Sequence, residues 1–202
     1  MLYSNYELYL LVQLIDDYEP GISRIIKYYS KKCKFFTTNQ QLKDAVDLWC
    51  EDENICMIFY THISYWDVSN ITDMSFLFKD KDFFNDNISR WDVSNVIDMN
   101  NMFYNATSFN QPIGTWNVTK VTNMENMFAF TDTFNQPLCE WKTTNVTRMR
   151  AMFCGAKCFN QPLNTWDVSN VISLTLILYF TDSYTHQQTI DYFQSLTNKH
   201  IK

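Results

Sequence analysis

Residues 91–112 read WDVSNVIDMNNMFYNATSFNQP, and variants of this stretch recur every 25 residues along the chain. Tryptophan begins every copy, with no insertion between one copy and the next. A fixed period in this range is the signature of a repeat architecture, because one short unit cannot bury its apolar face alone and must stack on its neighbours. The sequence therefore predicts a short stack of repeats that begin at Trp66, Trp91, Trp116, Trp141 and Trp166.

The spacing of apolar residues inside one unit predicts a strand followed by a helix. Tryptophan and the residue two positions later are expected on one face of a short strand, because side chains alternate along a strand. The later apolar positions follow the three-and-four spacing of one helical stripe; in the second unit they are Val96, Met99, Met102, Phe103 and Ala106. The predicted fold class is an α/β repeat: a short leucine-rich-repeat-like solenoid of about five 25-residue strand-helix units, preceded by a helical N-terminal segment.

Four segments are predicted along the chain: an N-terminal helical segment (1–36), an N-terminal cap (37–65), the five-repeat solenoid (66–185) and a C-terminal tail (186–202). The cap should contain an amphipathic helix over Thr38–Cys50, with Thr38 and Gln41 as its capping box. At the far end Asp191 stands where a sixth tryptophan would fall, so the array should stop, with a last half-turn over Asp191–Leu196.

The pattern W-D-V-S-N-V-x-D-M-x-x-M-F-x-x-A-x-x-F-N-Q-P, held over residues 39–184, resembles the bacterial-surface-protein (BspA-like) leucine-rich repeat family, also described as a mycoplasma-type 25- or 26-residue repeat. The resemblance implies a leucine-rich-repeat-like solenoid that serves adhesion or protein binding rather than catalysis. Members of that family occur on bacterial surfaces and in protists and large DNA viruses. The apolar residues of segment 1–36 resemble, more weakly, an F-box, which implies docking onto a ubiquitin-ligase scaffold; a plain helical hairpin that caps the solenoid is the alternative.

Composition and motif content argue against several classes of function. The chain has 16 Lys and Arg against 22 Asp and Glu, a net charge of −6, which disfavours binding to a nucleic-acid backbone. Its three histidines are too dispersed for a metal triad or a catalytic relay. The Cys154-x3-Cys158 spacing lacks the second half of a zinc site and predicts free thiols. Aspartate recurs at the position after the tryptophan in several units, but Asn117 and Lys142 stand there in others. This change favours a role in capping turns over a repeated calcium site. No enzyme activity, cofactor or metal is predicted.

Recognition is expected at exposed columns that vary between units, because invariant columns maintain the coil. The charge along the repeats also changes: residues 66–115 carry seven acidic and three basic side chains, and residues 116–165 carry three and five. A surface with both signs of charge suits a protein partner. The predicted partner-binding face consists of the positions on either side of each tryptophan: Tyr65, Asp67, Arg90, Asp92, Thr115, Asn117, Glu140, Lys142, Thr165 and Asp167.

The sequence thus predicts a non-catalytic protein-protein interaction module that binds a protein of unknown identity and is itself monomeric. No nucleic acid and no membrane span are expected. An intracellular, cytoplasmic adaptor is favoured because no signal peptide or long apolar span is visible, although location in a virion is also open. Two alternatives remain: a cell-surface or virion-surface adhesion protein, and an F-box-type ubiquitin-ligase substrate adaptor.

Overall fold

A computed structural model describes residues 35–197 of the chain. Residues 1–34 of the predicted N-terminal, F-box-like segment (1–36) and the last residues of the predicted tail lie outside this range. Within it, helix α1 spans Asn39–Glu51 and helix α2 spans Glu53–Phe59, and a 3-10 helix follows at Ile63–Tyr65. Helix α3, Gln187–Thr197, lies at the other end. The units between them consist of turns and isolated parallel β-bridges.

The predicted strand-helix solenoid is wrong. Between residues 35 and 197 the chain forms three α-helices, all outside the repeats, and no β-strand. At each tryptophan the chain passes through turns, and neighbouring units are joined by single-residue parallel bridges. These bridges lie seven residues after the tryptophan and connect Asp73 to Asp98, Asp98 to Asn123, Asn123 to Arg148, and Arg148 to Ser173.

The predicted helix of each unit is interrupted by residues with positive φ. They occur ten and fourteen positions after the tryptophan, with φ between 52° and 69°. A right-handed helix cannot pass through such a residue, so the chain advances by successive turns instead. The two columns consist of Phe76, Asn101, Asn126, Ala151 and Leu176, and of Asp80, Asn105, Phe130, Gly155 and Phe180.

These turns release alternate N–H groups for bonds between units. The Phe76 amide donates to the Asn100 carbonyl at 2.9 Å, and the Phe78 amide donates to the Met102 carbonyl at 2.8 Å. The intervening amide of Leu77 closes a turn onto the carbonyl of Met74. The alternate amides between eight and fourteen residues after the tryptophan donate to the following unit, whereas other amides, such as those of Ile97 and Ser108, donate to the preceding one. The row of forward-donating amides faces the C-terminal end of the stack.

The core consists of aromatic columns that run along the stack. The indole nitrogens of Trp91, Trp116 and Trp141 each donate to a carbonyl 28 residues earlier, at 2.9–3.3 Å. Two phenylalanine columns lie beside the tryptophans; the rings of Phe103 and Phe128, for example, are parallel at 5.6 Å. All five tryptophans of the period are buried. Every unit therefore shares its core with the units on both sides.

Helix α1 confirms the predicted amphipathic helix and its N-cap. The hydroxyl of Thr38 accepts from the amide of Gln41 at 3.2 Å. The reciprocal half of the capping box differs from the prediction, because the Gln41 side-chain oxygen accepts from the amide of Thr37, not Thr38. The side chain of Asn39 accepts from the amides of Thr72 and Asp73, so α1 covers the first unit. The apolar face of this amphipathic helix is buried: Leu42, Ala45, Val46 and Trp49.

Contacts at both ends extend the stack beyond the tryptophan repeats. The amide of Phe36 donates to the Asp67 carbonyl at 3.1 Å, and its side chain is only 2% exposed. At the other end, the segment expected to form a half-turn is part of the 11-residue helix α3. Phe193 of α3 is buried, and the Thr189 hydroxyl accepts from the amide of Leu163. Helix α3 therefore packs on the last units.

Candidate functional site

The predicted partner-binding face is exposed throughout the repeats. Each tryptophan points into the core, so the residues immediately before and after it point outward. They form two columns that run along the stack, one on each side of the tryptophans. All the predicted side chains are exposed, from Tyr65 and Asp67 in the first unit to Thr165 and Asp167 in the last.

The column after the tryptophan also has a structural role. The side-chain oxygens of Asp92 and Asp167 accept from the amides of Ser94 and Ser169, each at 3.0 Å. Asp67 and Asn117 make the same bond two residues ahead. These are Asx turns, which fix the backbone after the tryptophan. Hydrogen bonds from Ser94 lower the pKa of the Asp92 carboxyl, and those from Ser169 lower the pKa of Asp167.

The face has a depression of about 260 Å³ between the third and fourth units. It lies at Gly114, where a Cβ atom would collide with the carbonyl oxygen of Pro137. Other units carry a side chain in this column, for example Ser89 and Cys139. Four of the predicted face residues line the depression: Thr115, Asn117, Glu140 and Lys142.

Two opposite charges stand at the depression and are not paired with each other. Glu140 and Lys142 are exposed, and neither takes part in the ion pairs found among residues 35–197. Lys142 occupies the column in which Asp or Asn forms an Asx turn in the other units, so its ammonium group has no such local role. At the first units, the Arg90 guanidinium lies 6.0 Å from the centre of the Tyr65 ring.

The repeat pattern did not reveal an acidic groove of about 440 Å³ between α1 and the first unit. At its wall the Lys81 ammonium contacts the Asp47 carboxylate at 2.7 Å, and the Trp49 indole donates to Asp86 at 2.8 Å. Burial raises the pKa of the Cys50 thiol to about 11. The sequence signal for this groove is the run of alternating charges over residues 79–82 in the first unit, which the other units lack. The groove carboxylates are Glu51, Glu53, Asp80, Asp82 and Asp86.

Nothing in the described chain assembles a metal centre. No group of three or more His, Cys, Asp or Glu side chains between residues 35 and 197 is placed to hold a metal ion. Cys154 is buried and Cys158 is exposed, and both are free thiols. In the same range, every helix is too short or too polar to cross a bilayer.

The fold and this face define a class of protein: a stack of turn-built 25-residue repeats with an exposed, variable side. The chain belongs to the family described as "Mycoplasma protein of unknown function, DUF285", whose profile matches residues 36–129 and 112–200. This membership agrees with the mycoplasma-type repeat in the sequence, but it does not confirm the resemblance to BspA-like leucine-rich repeats or to an F-box. Neither the curated proteins nor the solved structures gave a match.

Proposed function

We propose that this chain is a non-catalytic protein-interaction module that binds a protein partner through the face beside the tryptophans. The main support for this proposal is the depression at Gly114, where the repeated backbone presents side chains that differ between units. Glu140 and Lys142 offer a carboxylate and an ammonium group that the described chain leaves unpaired. A partner with complementary charges would gain both contacts at once.

The distribution of charge supports a protein as the partner. The charged residues of the face include four carboxylates and only two cations, Arg90 and Lys142, so the face does not present the continuous positive surface that a nucleic-acid backbone requires. Opposite charges along one surface fix the orientation of a protein partner, since the reversed orientation would place like charges together.

We further propose that the module works inside the cell, as an adaptor. Cys139 and Cys158 are exposed and are free thiols, a state that persists in reducing compartments. A surface adhesin is the competing role. Fractionation of the native source separates the two: recovery in the soluble intracellular fraction supports the adaptor, and recovery on the cell surface or outside the cell overturns it.

The interaction face is tested by charge reversal. The variant Glu140→Lys/Lys142→Glu should lose the bound protein when the full chain is used for affinity capture from native cells with mass spectrometry. Both side chains are exposed, so the fold should be unaffected.

The matched control inverts an ion pair that lies elsewhere on the surface. In Asp132→Lys/Lys157→Asp the same number of charges changes, at a pair whose atoms are 2.7 Å apart. This control should capture the same proteins as the unmodified chain. The proposal is overturned if every captured protein binds both variants equally well.

A further inference from the structure

The C-terminal end of the stack presents backbone donors without acceptors. In the earlier units, alternate amides between eight and fourteen residues after the tryptophan donate to the following unit; the Phe103 amide, for instance, donates to the Met127 carbonyl at 2.9 Å. Within the described residues, α3 and not a sixth unit follows the fifth. The corresponding amides therefore find no acceptor among residues 35–197: Leu174, Leu176, Leu178 and Phe180. A row of unpaired amides is a template for another chain.

Apolar side chains surround these amides. Ile172 is 74% exposed and Phe180 is 63% exposed, and Leu176 and Tyr179 are exposed as well. A groove of about 360 Å³ separates the fifth unit from α3. Exposed apolar groups that form one continuous patch are typical of an interaction surface. The groove is lined by Leu174, Leu176, Ile177, Leu178, Tyr179, Ile190 and Phe193.

The backbone at this patch is also unfavourable in the free chain. Leu176 and Phe180 have φ values of 60° and 55°, a conformation that Asn and Gly adopt far more readily. The second unit carries Asn101 and Asn105 at the same two positions. Leucine and phenylalanine in the fifth unit thus combine an unfavourable φ with exposed apolar surface. Phe76 and Phe130 share both features in earlier units, so the unpaired amides are what sets the fifth unit apart.

A second copy of this chain does not fit the amide row. Two copies related by a two-fold axis through the row would set the amides of one copy against the amides of the other. Head-to-tail stacking would require a free N-terminal end, but α1 occupies it: Asn39 accepts from the amide of Thr72, and Asp47 pairs with Lys81 at 2.7 Å. The occupant that best fits the amide row is a segment of another protein that supplies carbonyl groups at alternate residues.

We propose that the C-terminal end of the stack binds a repeat-type segment of a partner protein, which adds one coil. The segment would offer its carbonyls to the amides of residues 174–180 and its apolar side chains to the groove beside α3. This inference depends on the proposed role as an interaction module, but it concerns a different surface. The partner segment is an apolar peptide that takes up the turn conformation of a repeat.

The probe is a synthetic peptide with the sequence of residues 97–107, IDMNNMFYNAT, which carries carbonyls that the first unit engages inside the chain. Amide hydrogen exchange of the full chain is followed by NMR with and without the peptide. The four end amides should exchange fast in the free chain and at least about tenfold more slowly with peptide, because a hydrogen-bonded amide exchanges only on opening. A peptide with the same residues in scrambled order should have no effect.

Variants distinguish this site from other binding surfaces. Leu176→Asn and Phe180→Asp introduce residues that stand in the same columns at Asn101 and Asp80, so the turns are kept. Each variant should weaken peptide binding by at least about tenfold in fluorescence anisotropy. The control is Phe83→Asp, which removes a phenylalanine that is 94% exposed at the other end of the stack. It should bind the peptide normally.

Several results would overturn the inference. One is slow exchange of the four amides in the free chain, which would mean that another part of this chain covers them. Another is concentration-dependent sedimentation that Phe180→Asp abolishes, which would assign the surface to a second copy. The third is unchanged exchange in the presence of the peptide. Glu140→Lys/Lys142→Glu should still bind the peptide, so failure of this site and failure of the proposed face are separable.

Discussion

Phe76 illustrates how single residues set the course of the chain. Its φ of 62° is one that only Gly and, to a lesser degree, Asn adopt easily. Asn101 and Asn126 stand at the same position in the next two units. Every unit adopts this conformation, and we expect a unit to be less stable where Phe replaces Asn at this position.

We predict that Phe76→Asn is more stable than Phe76→Ala by about 1 kcal/mol in urea unfolding, because both remove the ring but Asn tolerates the positive φ. The control pair Phe83→Asn and Phe83→Ala, at a side chain 94% exposed and outside the positive-φ columns, should differ by less than about 0.5 kcal/mol. Equal stability of the two Phe76 variants would contradict this account.

The Asp92 carboxylate should make stability depend on pH. Hydrogen bonds from Ser94 lower its pKa in the folded chain. A carboxyl with a lowered folded pKa stabilises the fold above its unfolded pKa of about 3.9, and this contribution is lost as the pH falls through the folded value. Asn can form the same turn, as Asn117 does, without titrating. The stability of Asp92→Asn relative to the unmodified chain should therefore rise between pH 5 and acid pH in thermal melts. A constant difference would contradict the prediction.

The free thiols should divide into reactive and inert groups. Burial raises the pKa of Cys56 to about 12 and that of Cys50 to about 11, so both remain protonated at neutral pH. Cys139 and Cys158 are exposed. Since the thiolate is the nucleophile, iodoacetamide at neutral pH should label Cys139 and Cys158 well before Cys50 and Cys56, as measured by peptide mass spectrometry. Rapid labelling of Cys56 in the native chain would be inconsistent with the packing around α2.

Comparison of two elements shows what the sequence could specify. Helix α1 was predictable because its signals are local: Thr38 provides the N-cap, and Leu42 and Val46 lie on one face. The coil of each unit was not, since Met99, Met102 and Phe103 have the same spacing in a helix and in a succession of turns. The positive φ at Asn101 distinguishes the succession of turns from a helix. The amides of Asn101 and Phe103 donate to carbonyls of the following unit and not to carbonyls within a helix.

The same limit applies to the candidate site. The exposed columns beside the tryptophans followed from the burial of the tryptophans themselves, so Glu140 and Lys142 were identified from sequence. The depression between them depends on how closely Gly114 approaches Pro137 across two units, a distance that repeat spacing does not give. The acidic groove joins α1 to the first unit and likewise required the structure.

Each tryptophan should stabilise neighbouring units as well as its own, because its side chain contacts them. Trp116 is buried and donates to the carbonyl of Ile88 at the end of the first unit, and its ring lies 6.4 Å from that of Phe103 in the second. Trp116→Ala should lower the free energy of unfolding by about 3–5 kcal/mol because it leaves a cavity in the core. Trp116→Phe keeps an aromatic ring and leaves the carbonyl without its donor, so it should cost about 1–3 kcal/mol. Urea unfolding measures both, and equal losses would show that the cavity is not the main cost.

At the scale of the whole molecule, the described part of the stack includes Phe35 and Phe36, which precede the cap helix. Phe36 packs on Trp66 and Tyr60, with ring centroids 5.1 and 5.6 Å away. Phe35 forms a parallel bridge with Asp67. These two residues thus act as a fragment of a unit that precedes the first tryptophan. Any truncation that tests the N-terminal segment must keep them.

We predict that a chain lacking residues 1–36 is less stable than one lacking residues 1–34 by about 3 kcal/mol or more, because only the shorter chain loses the buried Phe36 ring. Thermal and urea unfolding of the two truncated chains measure this difference directly, and equal stability would contradict the placement of Phe36. The chain lacking residues 1–34 then tests the docking hypothesis for the N-terminal segment. Loss of a captured scaffold protein, at nearly the melting temperature of the full chain, would support it. A large drop in melting temperature with unchanged capture would instead assign residues 1–34 to capping of the stack.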